Sequence, residues 1–242
     1  MKKKIIENTK TVLYALIIAL LIRSFFFQPF YIPSSSMEPT LLIGDRLFVS
    51  KYSYGYSRHS IPFSPTNYNK RFLGKNPNRG DVIVFKTPAD NRTDYIKRLI
   101  GLPGDQIQIL NYDLYLNGKK IKKIKIQKNI EINCGKEILD INLFEETLPE
   151  GKTYLAAYRK EGSMQNTDLF IVPKNHYFFM GDNRDCSKDS RYLSSVGYVN
   201  FNNLVGKAQL TFFSNDHQKG SFFKFWKWNQ SIRVNRFLKR IN

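Results

Sequence analysis

Hydrophobic and polar positions divide the chain into an apolar head, a long alternating body and a basic aromatic tail. Val12 to Ile22 is an unbroken apolar run of 11 residues, resumed after Arg23-Ser24 by Phe25, Phe26 and Phe27. The run has no polar face, which argues against a short amphipathic helix lying on the protein's own surface. From Ile5 to Phe27 there are 23 residues, enough to supply the roughly 20 that cross a ~30 Å hydrocarbon core. The first run alone also has the length of a secretory signal's apolar region. The residues after it, Arg23 to Pro29, lack the small-residue pattern of a cleavage site. An uncleaved transmembrane helix is therefore expected, with Arg23 reaching the headgroups and the phenylalanines in the interfacial belt.

The body reads as mostly β. Arg46-Leu47-Phe48-Val49 and Asp81-Val82-Ile83-Val84-Phe85 are short apolar runs preceded by Gly44-Asp45 and Arg79-Gly80, so both are predicted strands. Residues 53–78 are rich in Ser, Tyr, Asn, Pro and Gly and read as a surface loop. Tyr95 to Ile100 forms another strand, closed by Gly101-Leu102-Pro103-Gly104-Asp105, a strong turn signal. Ile107 and Ile109 alternate, as do Leu114 and Leu116, and Asn117-Gly118 predicts a type I′ hairpin turn. Lys119 to Lys128 alternates lysines with Ile121, Ile124 and Ile126, a solvated strand face with edge protection. The expected fold is an antiparallel β-sheet domain at 28–106 plus 169–214. It carries a smaller inserted β domain at 107–168 and follows one N-terminal transmembrane helix within 1–27.

The tail, 215–242, holds seven basic residues against one acid, both tryptophans (Trp226 and Trp228), and Phe222, Phe223, Phe225 and Phe237. Val234, Phe237, Leu238 and Ile241 fall at helical spacing, with Arg233, Arg236 and Arg240 off that stripe. A basic amphipathic surface helix is predicted, lying on a membrane or docked on the core.

Composition narrows the function classes. The chain has 242 residues, 42% apolar and 24% charged, a globular balance that excludes a disordered chain. The formal charge of +18 invites a nucleic-acid reading, but the apolar head favours a basic surface facing anionic lipid. Lys2, Lys3, Lys4 and Lys10 are expected to stay cytoplasmic, placing everything beyond Phe27 outside. Two cysteines and no CxxC pair exclude a disulfide framework, zinc fingers and thioredoxin-type chemistry. Cys134 and Cys186 are expected to be free buried thiols rather than a pair, although an oxidising compartment permits pairing. Three histidines, His59, His176 and His217, leave little for a metal site.

Three segments could carry chemistry. In Ile32-Pro33-Ser34-Ser35-Ser36-Met37-Glu38-Pro39-Thr40-Leu41, flanking prolines restrict the backbone around three serines. A serine needs a base to become a nucleophile. His176 or His217 could serve, yet no Gly-x-Ser-x-Gly elbow is present, and the segment alone is a plain turn. Lys97 lies inside an apolar strand, on the face of Tyr95 and Leu99 by alternation. Desolvation lowers a lysine's pKa and makes a neutral amine available as a base; snorkelling is the commoner fate. Gly181-Asp182-Asn183-Arg184-Asp185-Cys186-Ser187-Lys188-Asp189-Ser190-Arg191 is a highly polar turn, held by its own ion pairs or positioning a polar group at a site.

Together these segments resemble the conserved boxes of the type I signal peptidases, in that family's order and downstream of an anchor. The serine box is Pro33 to Leu41 with Gly44-Asp45. Arg79-Gly80-Asp81-Val82-Ile83-Val84-Phe85 is similar to the next box. Tyr95-Ile96-Lys97-Arg98 with Gly101 to Asp105 resembles the lysine box, and 181–191 the last. The likeness covers roughly 10–106 and 169–214. Family members commonly have Gly between the two serines, where Ser35 stands here. Cys186 takes a position that is usually polar, and only one anchor is visible where some relatives have two.

The resemblance implies a bacterial membrane-anchored serine endopeptidase that removes signal peptides after small residues. Ser36 maps to the nucleophile and neutral Lys97 to the general base. The Ser36 N–H and the Ser34 hydroxyl map to the oxyanion hole, and Ser187 to the hydroxyl orienting Lys97. Asp189, Arg191 and Arg184 are read as scaffold. Ile32, Met37, Leu41, Tyr95 and Ile96 would line the pocket for the residue before the cut. Phe30, Leu47 and Val84, with Ile32 and Ile96, would border the pocket two residues upstream. No metal or organic cofactor is implied. The expected partners are preprotein signal peptides and membrane lipid, with no nucleic acid and no obligate protein partner. The expected location is the bacterial cytoplasmic (inner) membrane, single-pass, with the catalytic domain on the periplasmic side. Two rivals remain. Another Ser/Lys peptidase, such as a self-cleaving repressor, would carry a DNA-binding helix pair instead of an anchor. A non-catalytic membrane-tethered β module binding lipid or cell-wall polymer would be indifferent to loss of Lys97.

Overall fold

The structure, a computed structural model, describes residues 2–61, 70–135, 137–216, 220, 226 and 228–242. Its first element is the helix α1, Lys2–Phe25. Lys3–Phe25 is long and apolar enough to cross a membrane, with none of its most apolar window buried against the rest of the chain. Thr9 and Thr11 return their hydroxyls to the carbonyls of Ile5 and Glu7, which hides their polar groups on the helix itself. The helix end is stitched to the residues around 51–56: Tyr56 donates to Phe25 O at 3.0 Å and Lys51 N to Phe26 O at 3.0 Å.

The chain then enters an antiparallel sheet. Its strands are β1 (Phe27–Tyr31), β2 (Asp45–Ser50), β3 (Val82–Lys86) and β4 (Asp94–Gly101), later joined by β12 (His176–Met180), β13 (Val199–Asn200), β14 (Leu204–Ser214) and β15 (Lys239–Arg240). The strand order is β1-β2-β14-β3-β4-β12-β13, and β15 pairs with β14. These runs are apolar and β-branched, the chemistry that fits a pleated buried surface. Two apolar clusters fill the sheet: Ile32, Met37, Leu41, Leu47, Val49, Val82, Val84, Val205 and Ala208 in one, and residues such as Ile83, Phe85, Leu99, Phe179 and Leu204 in the other.

Between β4 and β12 the chain forms two smaller sheets. One contains β5 (Gln106–Leu110), β6 (Asp113–Leu116), β7 (Lys119–Lys120) and β11 (Phe170–Ile171); the other is β8 (Lys122–Cys134), β9 (Glu137–Thr147) and β10 (Thr153–Arg159), in the order β10-β9-β8. Asn117 and Gly118 adopt φ of 52° and 75°, the double left-handed geometry of a type I′ turn. The lysine-rich stretch is less regular than its alternation: Ile121 is buried while Ile124 is exposed.

Two expectations are corrected. The tail does not form an amphipathic helix over Val234–Ile241. It contains a helical turn, α2 (Trp228–Ser231), a 3₁₀ turn at Val234–Arg236 and the strand β15. Val234 and Leu238, two members of the apolar stripe, are 69% and 73% exposed, whereas Arg236 from the polar side is buried on Asp45. A buried ion pair and a strand ladder thus override the helical period. Phe222, Phe223, Phe225 and His217 lie outside the described residues. Cys134 and Cys186 are not free thiols but a disulfide, with Cα atoms 5.6 Å apart. β8 ends beside the polar turn after β12, so residues 52 apart in sequence meet. The denatured protein should therefore take up no alkylating reagent before reduction and two equivalents after it. Uptake of two equivalents without reductant would contradict the pairing.

Candidate active site

Residues 33–44 make a compact turn between β1 and β2. Ile32 N donates to Asp45 O and Gly44 N to Ile32 O, closing the base; Glu38 N donates to Ser35 O and Leu41 N to Met37 O, shaping the loop. Asp45 accepts from Leu42 N at 2.9 Å. Met37 and Leu41 anchor the turn by pointing into the core. From the other side, Asn183 donates its N–H to Ser36 O and its amide to Ser35 O, each at 3.2 Å. Ser36 is thus held through its backbone, and its side chain faces an open cleft.

β4 brings Lys97 to the same place. Lys97 pairs in register with Ile83 of β3 and is only 4% exposed. Its Nζ lies 2.6 Å from Ser36 Oγ and donates to Ile96 O at 3.0 Å. Burial lowers its pKa from 10.5 to about 8. Asp189 and Asp182 pull it upward, and Arg191 pushes it down. A buried amine beside a hydroxyl, with a pKa near neutrality, is equipped for proton transfer.

The surrounding charges are matched. Arg98 grips Asp182 through two hydrogen bonds of 2.8 and 2.7 Å, and Thr40 adds a third. Arg191 grips Asp189 at 2.8 Å through both Nε and Nη2, and Gly181 N also donates to Asp189. Arg184 pairs with Glu146 of β9 at 2.6 Å, with Tyr154 and Tyr158 completing a buried cluster. Fully buried ions persist only when paired and hydrogen-bonded in this way. Ala157 N donates to Asp182 O and Arg184 N to Ala157 O, so β10 supports the same turn.

The cleft has a volume of about 400 Å³ and runs between the 30–34 and 93–97 segments. Phe30, Ile32, Val84, Tyr95 and Ile96 line it, together with Ser34, Ser36 and Lys97. Met37, Leu41 and Leu47 do not. Each is 0% exposed and lies in the apolar cluster shared with Ile32 and Val84. Leu47 is enclosed because its side chain leaves the face of β2 into that cluster. Ser34 Oγ is 3.4 Å from Ser36 Oγ. Ser187 is buried, and its hydroxyl makes no hydrogen bond to Lys97. Asn183, Asp182, Glu146 and the Ile96 carbonyl escaped the sequence reading. The first two stand inside a segment already marked as polar, whereas nothing local distinguishes Glu146. His176 bonds to Lys174 O and contacts Asn200, and His59 sits in a separate 3₁₀ turn.

A family model described as "Signal peptidase, peptidase S26" matches residues 5–213. The chain belongs to this family. Signal peptidase I of Rickettsia conorii is 40% identical over 247 residues, spanning 94% of this chain and 90% of that protein. Signal peptidase I of Rickettsia canadensis is 39% identical over 253 residues, spanning 97% and 93%. A crystal structure of a signal peptidase I from Enterococcus faecalis V583 is 26% identical and covers 55% of this chain and 97% of that one, with a TM-score of 0.32. The activity is therefore that of a signal peptidase I, a serine peptidase removing signal peptides, and the apolar α1 fits a membrane anchor.

The close contact at Gly181 yields a test. A Cβ there would lie 2.3 Å from Ser187 Oγ and 2.4 Å from Ser36 O, too near for either to stay in place. Overpacking of this kind costs about 1–3 kcal/mol. Gly181→Ala should stay folded by circular dichroism while cleaving a preprotein at least about tenfold more slowly, since small displacements of a reacting group are costly. Wild-type turnover would show that the contact does not constrain the serine.

Proposed function

We propose that Ser36 attacks the scissile carbonyl and that neutral Lys97 takes its proton, then delivers it to the departing amine. Water next attacks the acyl-enzyme with Lys97 again as base, releasing the signal peptide and free Ser36. The observation carrying this reading is the 2.6 Å contact between Lys97 Nζ and Ser36 Oγ in a buried site opening onto a cleft. The Ser36 N–H and the Ser34 hydroxyl stabilise the oxyanion. Ser187 supports the dyad by packing against Gly181, beside which the Ser36 carbonyl also lies.

The substrate is the end of a membrane-borne signal peptide, entering as an extended strand. β12 pairs only with 98–101 of β4, so the 94–97 edge facing the cleft has no strand beside it among the described residues and is open to β-augmentation. Phe30, Ile32, Val84, Tyr95 and Ile96 make the hollows that admit small residues at −1 and −3. The helix α1 spans the cytoplasmic membrane with its lysines inside and the catalytic domain on the outer side, and the exposed aromatic residues Phe26, Trp226 and Trp228 meet lipid there. Preproteins and membrane lipid are the partners.

Kinetics test the dyad. Because Lys97 acts unprotonated and burial brings its pKa down to about 8, kcat/KM should fall about tenfold per pH unit below that value and level off above it. Ser36→Ala and Lys97→Arg should abolish cleavage, the latter because a guanidinium does not deprotonate. Ser34→Ala should cost on the order of 10²–10³. Undiminished turnover by Lys97→Arg would remove it as the base.

Substrate choice is tested separately, on one preprotein carrying Ala, Leu or Phe at −1. Ala should be cleaved, while Leu and Phe should be slower by roughly 5- to 150-fold or more, the range of a ~1–3 kcal/mol steric cost. Equal rates would mean that these residues do not form such a hollow.

A further inference from the structure

The serine turn is held from a direction that the catalytic boxes do not supply. The segment 233–241 lies beyond the residues matched by the family model and contacts the turn at Thr40, Ile43 and Asp45. Arg236 is buried and ion-paired to fully buried Asp45, and it also donates to Thr40 O at 2.9 Å. Arg233 donates to Ile43 O at 2.8 Å and pairs with Asp216 at 3.0 Å. Ile241 packs into the cluster containing Met37 and Leu41, and its N–H bonds to Gln209 O. Asn242 O accepts from buried Arg98 at 2.8 Å, the residue that grips Asp182.

Two arginines therefore grasp separate carbonyls of the turn, those of Thr40 and Ile43, downstream of Ser36. Asp45 closes that turn by accepting Leu42 N, and Arg236 fixes Asp45 in turn. Thr40 is held at both ends, its carbonyl by Arg236 and its hydroxyl on Asp182. The turn has no helix or strand within it; its own backbone bonds and Asn183 hold the Ser35–Ser36 part, and the arginine clamps add the hold on Thr40 and Ile43.

We propose that Arg236, assisted by Arg233, is a positioning residue: the strap at 233–241 clamps the serine turn so that Ser36 stays within reach of Lys97. The inference rests on Ser36 and Lys97 being the reacting pair. It assigns a catalytic consequence to a segment whose sequence suggests only a surface helix. The polar contacts of Arg233 and Arg236 go to Ile43 O, Ser214, Asp216, Thr40 O and Asp45, none of which lines the cleft, so loss of their grip acts on turnover rather than on substrate binding.

The experiment uses the full chain in detergent and one cleavable preprotein. Arg236→Gln should lower kcat about 10- to 100-fold with little change in KM, the cost of a reacting group displaced by about an ångström. Arg236→Lys keeps the charge on Asp45 but loses the forked grip, and should recover part of the rate. Arg233→Gln, at a less buried site, should fold normally and show a smaller loss of kcat. The discriminating readout is the acid limb of kcat/KM. A loosened turn admits water to Lys97, so the limb should move upward. The charged neighbours named around that amine, Asp189, Asp182 and Arg191, are unchanged by the substitution. Glu38 of the turn, its pKa raised to about 7 by burial and pulled down by Arg233 and Arg236, is not, so the upward move should persist when Arg236→Gln is combined with Glu38→Gln.

A strap that served folding alone would lower the melting temperature and the amount of active enzyme while leaving the limb and KM where they were, and that result would overturn the proposal. Wild-type kcat in both Arg236→Gln and Arg233→Gln would overturn it equally. Cleavage by Ser36→Ala would instead overturn the reading on which it rests.

Discussion

The structure depends on taking one amine out of water. Lys97 sits on a central strand at almost zero exposure, and desolvation is the largest influence on its ionisation. A lysine in such a position would normally be stabilised as a cation by any nearby carboxylate. Two are near, Asp182 and Asp189, and each is occupied by its own arginine, Arg98 and Arg191. The arginines keep the carboxylates from capturing the lysine. The turn after β12 is dense in charge because it builds a rigid polar wall without tilting the amine back to its protonated form.

That requirement explains why so much of the chain converges on a few residues. The turn supplying Asp182 and Asn183 is held by β10 through backbone bonds at Ala157 and by the Arg184–Glu146 pair with its two tyrosines. The Cys134–Cys186 disulfide fixes the tip of β8 to the same wall. The inserted sheet thus buttresses the site, although none of its strands contributes a residue to the cleft. Covalent and ionic ties at this point keep the polar wall from relaxing and admitting water to Lys97.

Much of this was legible in the sequence because the informative features are local. The apolar run predicted α1, the turn residues Gly44-Asp45 and Gly101 to Asp105 bracketed β2 and β4, and Asn117-Gly118 announced its turn by conformational preference alone. Pairing Ser36 with Lys97 required a family resemblance, since 61 residues separate them and no local pattern joins a turn to a strand so far along the chain. Features that failed to show were those set by long-range partners. The tail's helical spacing gave way to Arg236 on Asp45. Met37 and Leu41 belong to the same motif as Ser36 but turn inward, and Leu47 packs into the same apolar cluster. The cysteines carry no spacing signal because β8 delivers one of them from the insert.

The most direct measurement of the central claim is the ionisation of Lys97 itself, read by NMR of ¹³C-methylene-labelled lysine in the full chain, with the Lys97 signal assigned by its disappearance in Lys97→Arg. Burial among paired ions predicts a titration midpoint of about 8 in the resting enzyme, well below every solvated lysine. A midpoint near the ordinary 10.5 would mean that the amine is protonated at working pH, and would contradict the account of how this site is built.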